Sequence, residues 1–371
     1  MAHRMLLLVI VLGMSTTPVA PEQRAPVPML LMEEAAIAYR KGDLDTARKR
    51  LAQLSMGQQT EAAEALIERE RTRAARRLSS DADVASSAKI LRATAALQME
   101  AAAERLQLTL FGGTETIKAR IRMARQLFAA AAELDGSADP AFDRWLTAIG
   151  TDLMARGSFE LAETVLAPDC APQSDYAPLV LTCAIARETH SVLSHDTATA
   201  VRQARGPSWM LNSARGVRSS SLEAARRLLE RAATLAADDA EAPMRLGLVL
   251  IRAGNIEEAT EVLEKLTARR DITARHRYFA SLFLGRAYQR QQRLDDAQRA
   301  FNAALAAAEV QSALLALSHN AQLQGRTGDA ATLAERAASP TLTADPWWRY
   351  YFGQYWLVPG LFDALRREAQ Q

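Results

Sequence analysis

The chain has 371 residues, with 45 basic and 43 acidic side chains and a formal net charge of +2. This length exceeds the usual size of one hydrophobic core, so we expect an elongated array or several domains. The near balance of charge gives no reason to expect a nucleic-acid partner or binding to a membrane surface. Glycine (17) and proline (13) are few, while Ala, Leu, Arg and Glu, which favour helices, are abundant. The composition therefore predicts a helical protein.

The first residues have the pattern of a secretory signal peptide. Arg4 precedes an apolar run over residues 5–12, and small and polar residues lead to Ala20. The run is too short to span a bilayer, and this order of regions is typical of an exported protein. We expect residues 1–20 to be a signal peptide and the mature chain to be periplasmic or secreted. A cytoplasmic protein with a hydrophobic N-terminal tail is the alternative.

The clearest internal pattern covers residues 284–304. Apolar or small side chains recur there at three- and four-residue steps on both sides of a short polar turn. This periodicity predicts two amphipathic helices joined as a hairpin. Small residues such as Gly285 and Ala297 allow the helices to approach closely, while Tyr288 and Phe301 fill the space between them.

Copies of this pattern recur along the chain. Ala225 and Ala259 hold equivalent places 34 residues apart, and weaker copies surround Gly42 and Gly157. The Leu-Gly, Tyr, Ala, Phe, Ala series resembles the tetratricopeptide repeat family, whose repeat is about 34 residues long, and we expect an exported bacterial member. The resemblance implies an all-α fold, a right-handed superhelical solenoid of antiparallel helix hairpins. It also implies a concave groove that binds a partner peptide or helix.

We predict five regions after the signal peptide. They are degenerate N-terminal hairpins at 21–135, further hairpins at 136–190, an insertion loop at 191–219, a well-formed array at 220–340 and an aromatic C-terminal capping helix at 341–371. The insertion could instead contain a short helix over about 194–205. Insertions in solenoids often emerge on the binding face, but a passive surface loop is the slightly favoured interpretation.

The C-terminal region concentrates aromatic side chains between Trp347 and Phe362. A solenoid needs a terminal element to cover the apolar face of its last repeat, which favours a cap. Because Trp and Tyr dominate binding hot spots, a contact surface for a partner is the alternative. The residues proposed for either role are Trp347, Trp348, Tyr351 and Trp356.

The register of the repeats predicts which side chains face the groove. The first helix of each hairpin lines the concave side in the tetratricopeptide family, and the resemblance carries this over to matching positions. The predicted groove residues are Met244, Leu248, Arg252, Phe279, Leu282, Arg286, Gln289, Arg290, Leu315, His319 and Gln322. This mixture of apolar and basic side chains would suit an acidic or amphipathic peptide.

The sequence contains no motif that indicates catalysis. It has no phosphate-binding loop, dinucleotide fingerprint, nucleophile elbow or helical zinc-binding histidine pair. The densest polar cluster is Glu188, His190, His195 and Asp196, and histidines five residues apart on a helix point in different directions. We interpret this cluster as solvated residues, and expect no enzyme, cofactor or metal site.

Three questions stay open at this level. Cys170 and Cys183 could pair in an oxidising compartment, but one is expected in a loop and the other inside a helix. An assembly or enzyme-accessory factor of the cell envelope is an alternative to a general scaffold. An enzyme built on a helical toroid, with a pocket near Trp145 or Trp209, is a less favoured one.

Overall fold

The computed structural model describes residues 27–76, 81–108, 114–137, 140–168, 170, 174–203, 208–339, 342–351 and 361–371. Within these ranges every regular element is an α-helix and there is no β-strand. The helices are α1 (Val27–Arg40), α2 (Leu44–Ala52), α3 (Met56–Arg76), α4 (Asp81–Leu108), α5 (Thr114–Asp135), α6 (Ala141–Ala155), α7 (Phe159–Leu166), α8 (Ala177–Gln203), α9 (Ser208–Leu235), α10 (Glu241–Ala253), α11 (Ile256–Ala268), α12 (Ala274–Arg290), α13 (Leu294–Ala307), α14 (Gln311–Leu323), α15 (Thr327–Ala337), α16 (Pro346–Tyr351) and α17 (Leu361–Gln370). The predicted signal peptide at 1–20 lies outside the described residues.

Neighbouring helices pack in pairs along the chain. The hairpins are α1–α2, α4–α5, α6–α7, α8–α9, α10–α11, α12–α13 and α14–α15, with α3 packed against α1, α4 and α5. The first helices of consecutive hairpins also touch, as α10 does α12 and α12 does α14. The fold is therefore the predicted all-α solenoid of antiparallel hairpins.

Five hairpin turns use a residue in the left-handed backbone region. Gly42, Gly157, Gly254 and Gly325 have φ values between 76° and 94°, and each precedes the second helix by two residues. Glycine adopts this conformation without the steric cost that a Cβ imposes. The turn before α13 places Gln292 in the same position, with φ 61°. The sequence periodicity thus reflects a repeated turn, and one repeat carries a strained copy of it.

Glycines inside the first helices let the paired helices approach closely. A Cβ atom on Gly285 would lie 2.4 Å from the ring of Phe301, and one on Gly247 would lie 2.5 Å from Leu263. Gly150 has the same relation to Leu166, at 2.8 Å. The small residue predicted at Gly285 is therefore required by the side chain that faces it.

The loop interpretation of 191–219 is wrong for the part of this segment that the structure describes, and α8 includes most of the alternative helix at about 194–205. Helix α8 continues to Gln203 and α9 begins at Ser208, so the segment extends one long hairpin. Ala, Val, Gln and Arg, which are good or tolerated helix residues, alternate with the Ser and Thr that suggested a loop. Packing of two antiparallel helices against each other overrides that weaker local preference.

Cys170 and Cys183 form a disulfide, with their Cα atoms 5.6 Å apart. It ties the segment after α7 to the buried side of α8, where Cys183 is fully buried. The question that the sequence left open is therefore answered by the path of the chain, which brings residue 170 back beside α8. Among the described helices, none is long and apolar enough to cross a membrane.

Candidate functional site

The concave side of the solenoid is lined by α8, α10, α12 and α14. A hydrogen bond of 2.8 Å from Arg245 Nη1 to Glu188 Oε2 joins α10 to α8. The C-terminal helix α16 lies on this surface, and α17 continues to α1, α4 and α6 in the first half of the chain. The concave side is therefore divided into a part covered by the C-terminal segment and a part that stays open.

Four charged side chains and one tyrosine form the covered part, which we call the floor cluster: Glu188, Glu241, Arg245, Arg252 and Tyr350. Glu188 Oε1 accepts a hydrogen bond of 2.8 Å from the Tyr350 hydroxyl and one of 3.2 Å from Arg252 Nη1. Arg245 Nε donates to Glu241 at 2.7 Å. Glu188 and Arg245 are 2 % and 1 % exposed, so the charges neutralise each other away from water.

Glu241 belongs to the same network and lies one helical turn before Arg245 on α10. Its carboxylate accepts hydrogen bonds from Arg245, Arg275 and His276. Burial alone would raise the pKa of Glu241, but the charge of Arg245, the hydrogen bond from His276 and the charge of Arg275 lower it to about 2. The carboxylate is therefore ionised at neutral pH although it is almost fully buried.

Tyr350 is the centre of an aromatic group on the same surface. Its ring centroid lies 5.1 Å from that of Phe279 and 5.5 Å from that of Phe283, and it stacks on Trp347 at 5.7 Å. The Arg245 guanidinium lies 4.4 Å from the Tyr350 centroid. Burial and the negative charge of Glu188 raise the pKa of Tyr350 well above its ordinary value. The phenol therefore stays protonated and donates a hydrogen bond to Glu188.

Asp345 fixes the start of α16 beside α14. Its carboxylate accepts hydrogen bonds of 2.7 Å from the Ser312 backbone N–H and 2.8 Å from the Trp347 backbone N–H. The Ser312 hydroxyl donates to the same carboxylate at 2.6 Å. One side chain thus satisfies the free N–H groups at the beginnings of two helices, which is how an acidic cap stabilises a helix N-terminus.

The open part of the concave side is a pocket of about 620 Å³, which we call the outer pocket. Its lining residues are Leu248, Ile251, Arg252, Ala253, Gly254, Arg286, Gln289, Arg290, His319 and Leu323. Three arginines and no acidic residue face this space. A smaller pocket of about 320 Å³ adjoins it, where Trp347, Ser312 and Leu315 meet Arg286 and His319.

Arg286 lines both pockets and joins them. Its guanidinium lies 4.6 Å from the Trp347 ring centroid, and no carboxylate among the described residues forms an ion pair with it. Burial and the positive charge of Arg252 lower the pKa of Arg286. A carboxylate placed in the outer pocket would offset this unfavourable environment, because it would supply the missing opposite charge.

The structure places seven of the predicted groove residues on the two pockets. They are Leu248, Arg252, Arg286, Gln289, Arg290, Leu315 and His319. Gln322 is exposed but lines neither pocket. Of the aromatic residues proposed as cap or contact, Trp347 lies over Arg286, while the side chains of Trp348, Tyr351 and Trp356 lie outside the described part of the chain.

Three predicted groove residues belong to the core instead. Met244, Phe279 and Leu282 are 0 % exposed. The prediction treated one helix face as open, but each first helix also contacts the first helices of its neighbours, and Phe279 is covered by Tyr350. Their placement as partner-facing residues is therefore wrong.

The floor cluster was missed by the sequence interpretation. Glu188 was assigned to a solvated cluster, yet it is buried and accepts three hydrogen bonds from Arg245, Arg252 and Tyr350. Glu241 and Arg245, four residues apart on one helix face, were a usable signal for an ion pair. The hydrogen bond that connects this network to Tyr350 has no sequence signal, because Tyr350 and its acceptor Glu188 are 162 residues apart in the chain.

The alternative of a pocket near Trp145 is not supported by its surroundings. Trp145 is 2 % exposed and its ring centroid lies 5.9 Å from that of Phe362, in the contact between α6 and α17. The Trp209 side chain lies outside the described part. Within the described residues no group of three or more His, Cys, Asp or Glu is arranged to hold a metal ion.

The arrangement of paired helices around a concave surface defines a helical-repeat protein. Residues 217–279 match the family model of the tetratricopeptide repeat, over α9, α10, α11 and the start of α12. The chain thus contains tetratricopeptide repeats, and the matched range includes Ala225 and Ala259, whose 34-residue spacing indicated the repeat.

Comparison with solved structures gives distant similarities. The MamA AMB-1 structure is 19% identical, with a TM-score of 0.38, and the match covers 52% of this chain and 95% of that one. MamA from Desulfovibrio magneticus RS-1 is 18% identical, with a TM-score of 0.38, over 53% and 92% of the two chains. These similarities are too distant to transfer a function. A comparison with curated proteins gave no significant match.

Proposed function

We propose that this protein is an exported scaffold or adaptor that binds a partner peptide or helix in the outer pocket. The observation that carries the proposal is the contrast within the concave side. Its charges are neutralised and covered at the floor cluster, to which Arg252 belongs. In the outer pocket, Arg286 and Arg290 have no ion-pair partner among the described residues, and no acidic residue lines the pocket. An unneutralised basic surface beside exposed apolar side chains is suited to an acidic, amphipathic segment.

The exposed side chains define what such a segment would contact. Arg290 is exposed and has no ion-pair partner among the described residues. Leu315 and Leu323 are 47 % and 48 % exposed, which is unusual for large apolar side chains in a packed helical array. A carboxylate near Arg286 and Arg290, with an apolar residue on Leu323, would satisfy both features.

The disulfide supports the proposed export. Disulfides persist in secreted and periplasmic proteins and are rare where glutathione and thioredoxin keep thiols reduced. The Cys170–Cys183 bond and the signal-peptide pattern of residues 1–20 are two independent features that favour the same compartment. N-terminal sequencing of the mature protein tests this part, since an intact Met1 would exclude cleavage.

Site-specific photocrosslinking in the native cell tests the position of the partner. A photoreactive residue replaces Leu323 in the outer pocket or, as the control, Leu235 at the end of α9, which is 37 % exposed. We expect one dominant crosslinked protein from position 323 and none in common from position 235. Equal labelling from both positions, or none from position 323, would overturn the proposal. A dominant product from one envelope complex would identify an assembly or accessory factor.

A charge reversal then tests the chemistry of that contact. Arg290→Glu should weaken binding of the crosslinked partner roughly tenfold or more, because a close like-charge pair replaces an attraction. The matched control is Arg299→Glu on α13, whose side chain is 73% exposed and pairs with Asp296. Binding of the partner to this control should change less than about twofold. Equal losses in both variants would indicate a general charge effect instead of a pocket contact.

A further inference from the structure

We propose that the floor of the concave side is a recognition site for a Trp-x-x-Tyr segment, and that the chain's own C-terminal segment is its ligand. The described parts of this segment are residues 345–351, with Trp347 and Tyr350 on the concave surface, and residues 361–371. This inference concerns the floor cluster and stands independently of what binds in the outer pocket.

The contacts of Tyr350 are those of a side chain in a specific pocket. The hydroxyl donates to Glu188 at 2.8 Å, the ring lies over Arg245 at 4.4 Å, and the residue is 3 % exposed. Phenylalanine could fill the same volume but would leave one hydrogen bond to a buried carboxylate unmade, which is costly. Glu188 and Arg245 therefore distinguish tyrosine from other aromatic residues.

The segment is attached to the solenoid as a bound peptide would be. Helix α16 follows the hairpin α14–α15 in the chain, yet its side chains contact residues of α8, α10 and α12. Thr343 and Ala344, just before the segment, are exposed. A chain that leaves the array through an exposed link and returns to its concave side makes contacts that a separate peptide could also make.

The end of the segment makes a second set of contacts, with helices of the first half of the chain. Leu365 is 4 % exposed, and Arg366 Nε donates to Glu100 at 2.6 Å. Glu368 accepts a hydrogen bond of 2.6 Å from Arg144, and the backbone oxygen of Gln371 accepts one of 3.0 Å from Lys89. One segment thus joins α12 to α4 and α6. An external Trp-x-x-Tyr segment could occupy the floor only by displacing it.

Cutting the exposed link in the full-length protein tests the inference. A protease recognition sequence is inserted between Thr343 and Ala344, and the folded protein is cut there. Gel filtration then shows whether the cut segment stays with the solenoid. A fluorescent peptide of residues 344–371 is then added and its binding is followed by anisotropy. We expect the cut segment to stay associated and the labelled peptide to exchange with it at a saturable, measurable affinity.

Two peptide variants make the test specific. The Tyr350→Phe peptide should bind roughly tenfold or more weakly, because it cannot donate to the Glu188 carboxylate. The Arg367→Ala peptide is the matched control, since Arg367 is exposed, and its affinity should stay within about twofold. Equal affinity of the Tyr350→Phe and wild-type peptides would refute recognition through the hydroxyl.

The remaining outcomes also decide the matter. If the cut protein loses its helical circular dichroism, or retains its segment but never exchanges it, the segment is a permanent part of the core and the inference fails. If the uncut protein is a dimer that exchanges segments between copies, the intramolecular arrangement is overturned. Exchange in a monomeric protein supports it.

Discussion

The floor cluster and the outer pocket, the two parts of the concave side, treat their charged side chains in opposite ways. In the floor cluster, Glu188 and Glu241 pair with Arg245, and Tyr350 covers Glu188 and Arg245. In the outer pocket, Arg286 and Arg290 lack carboxylate partners among the described residues. Both parts lie on first helices of the array, the floor cluster on α8 and α10 and the outer pocket on α10, α12 and α14. The difference teaches that the repeat supplies the surface, while the C-terminal segment decides which part of it is available.

The largest expected effect comes from breaking the floor cluster. Arg245→Ala leaves two buried carboxylates without their main partner and should lower the free energy of unfolding by about 3–5 kcal/mol. Arg290→Ala, in the outer pocket, should change it by less than about 0.5 kcal/mol, because that side chain is exposed. Urea unfolding of both variants measures the contrast. Similar losses in the free energy of unfolding for the two variants would contradict the difference in charge pairing between the floor cluster and the outer pocket.

Acid should weaken the floor before it affects the pocket. The pKa of Glu241 is about 2 in the folded protein, against 4.5 as its ordinary value. Its stabilisation is therefore fully present above pH 4.5 and is lost as pH falls towards 2, with an upper bound of about 3 kcal/mol. Urea unfolding between pH 6 and pH 3 should show this decline. The Glu241→Gln variant should show a shallower pH dependence, and an unchanged slope would contradict the assignment.

A smaller effect should follow from crowding the helix pair behind the pocket. Gly285→Ala places a Cβ within 2.4 Å of Phe301, so α12 must shift from α13. We expect a loss of about 1–3 kcal/mol in the free energy of unfolding. Gly328→Ala is the control, since its added Cβ would meet nothing within 4 Å. It should be neutral or slightly stabilising in a helix. Thermal unfolding of both variants tests the pair.

The smallest effect concerns the strained turn after the pocket. Gln292 has φ 61° where the other hairpins carry glycine. Gln292→Gly relieves the steric cost of the left-handed conformation but adds freedom to the unfolded chain, for a net gain of about 0.5–1 kcal/mol. Thermal unfolding of Gln292→Gly should show a raised midpoint temperature. Gly254→Ala, which creates the reverse change at φ 94°, should lower it.

The sequence by itself determined the repeat and much of its packing. Periodicity at three and four residues placed the hairpins, and Gly285 opposite Phe301 was readable because paired helices meet at fixed spacings. The same register assigned Arg252, Arg286, Arg290 and His319 to the concave side. These features are local, since each depends on residues within one repeat or its neighbour.

Only the tertiary structure decided the remainder. Residues 191–203 and 208–219 are helical because two long helices stabilise each other, and the disulfide depends on where the chain returns after α7. Phe279 is covered and Glu188 is buried because Tyr350, far away in sequence, lies on both. Helical periodicity predicts which face of a helix is apolar or polar. It carries no information about which distant segment covers that face, because such contacts depend on the path of the whole chain.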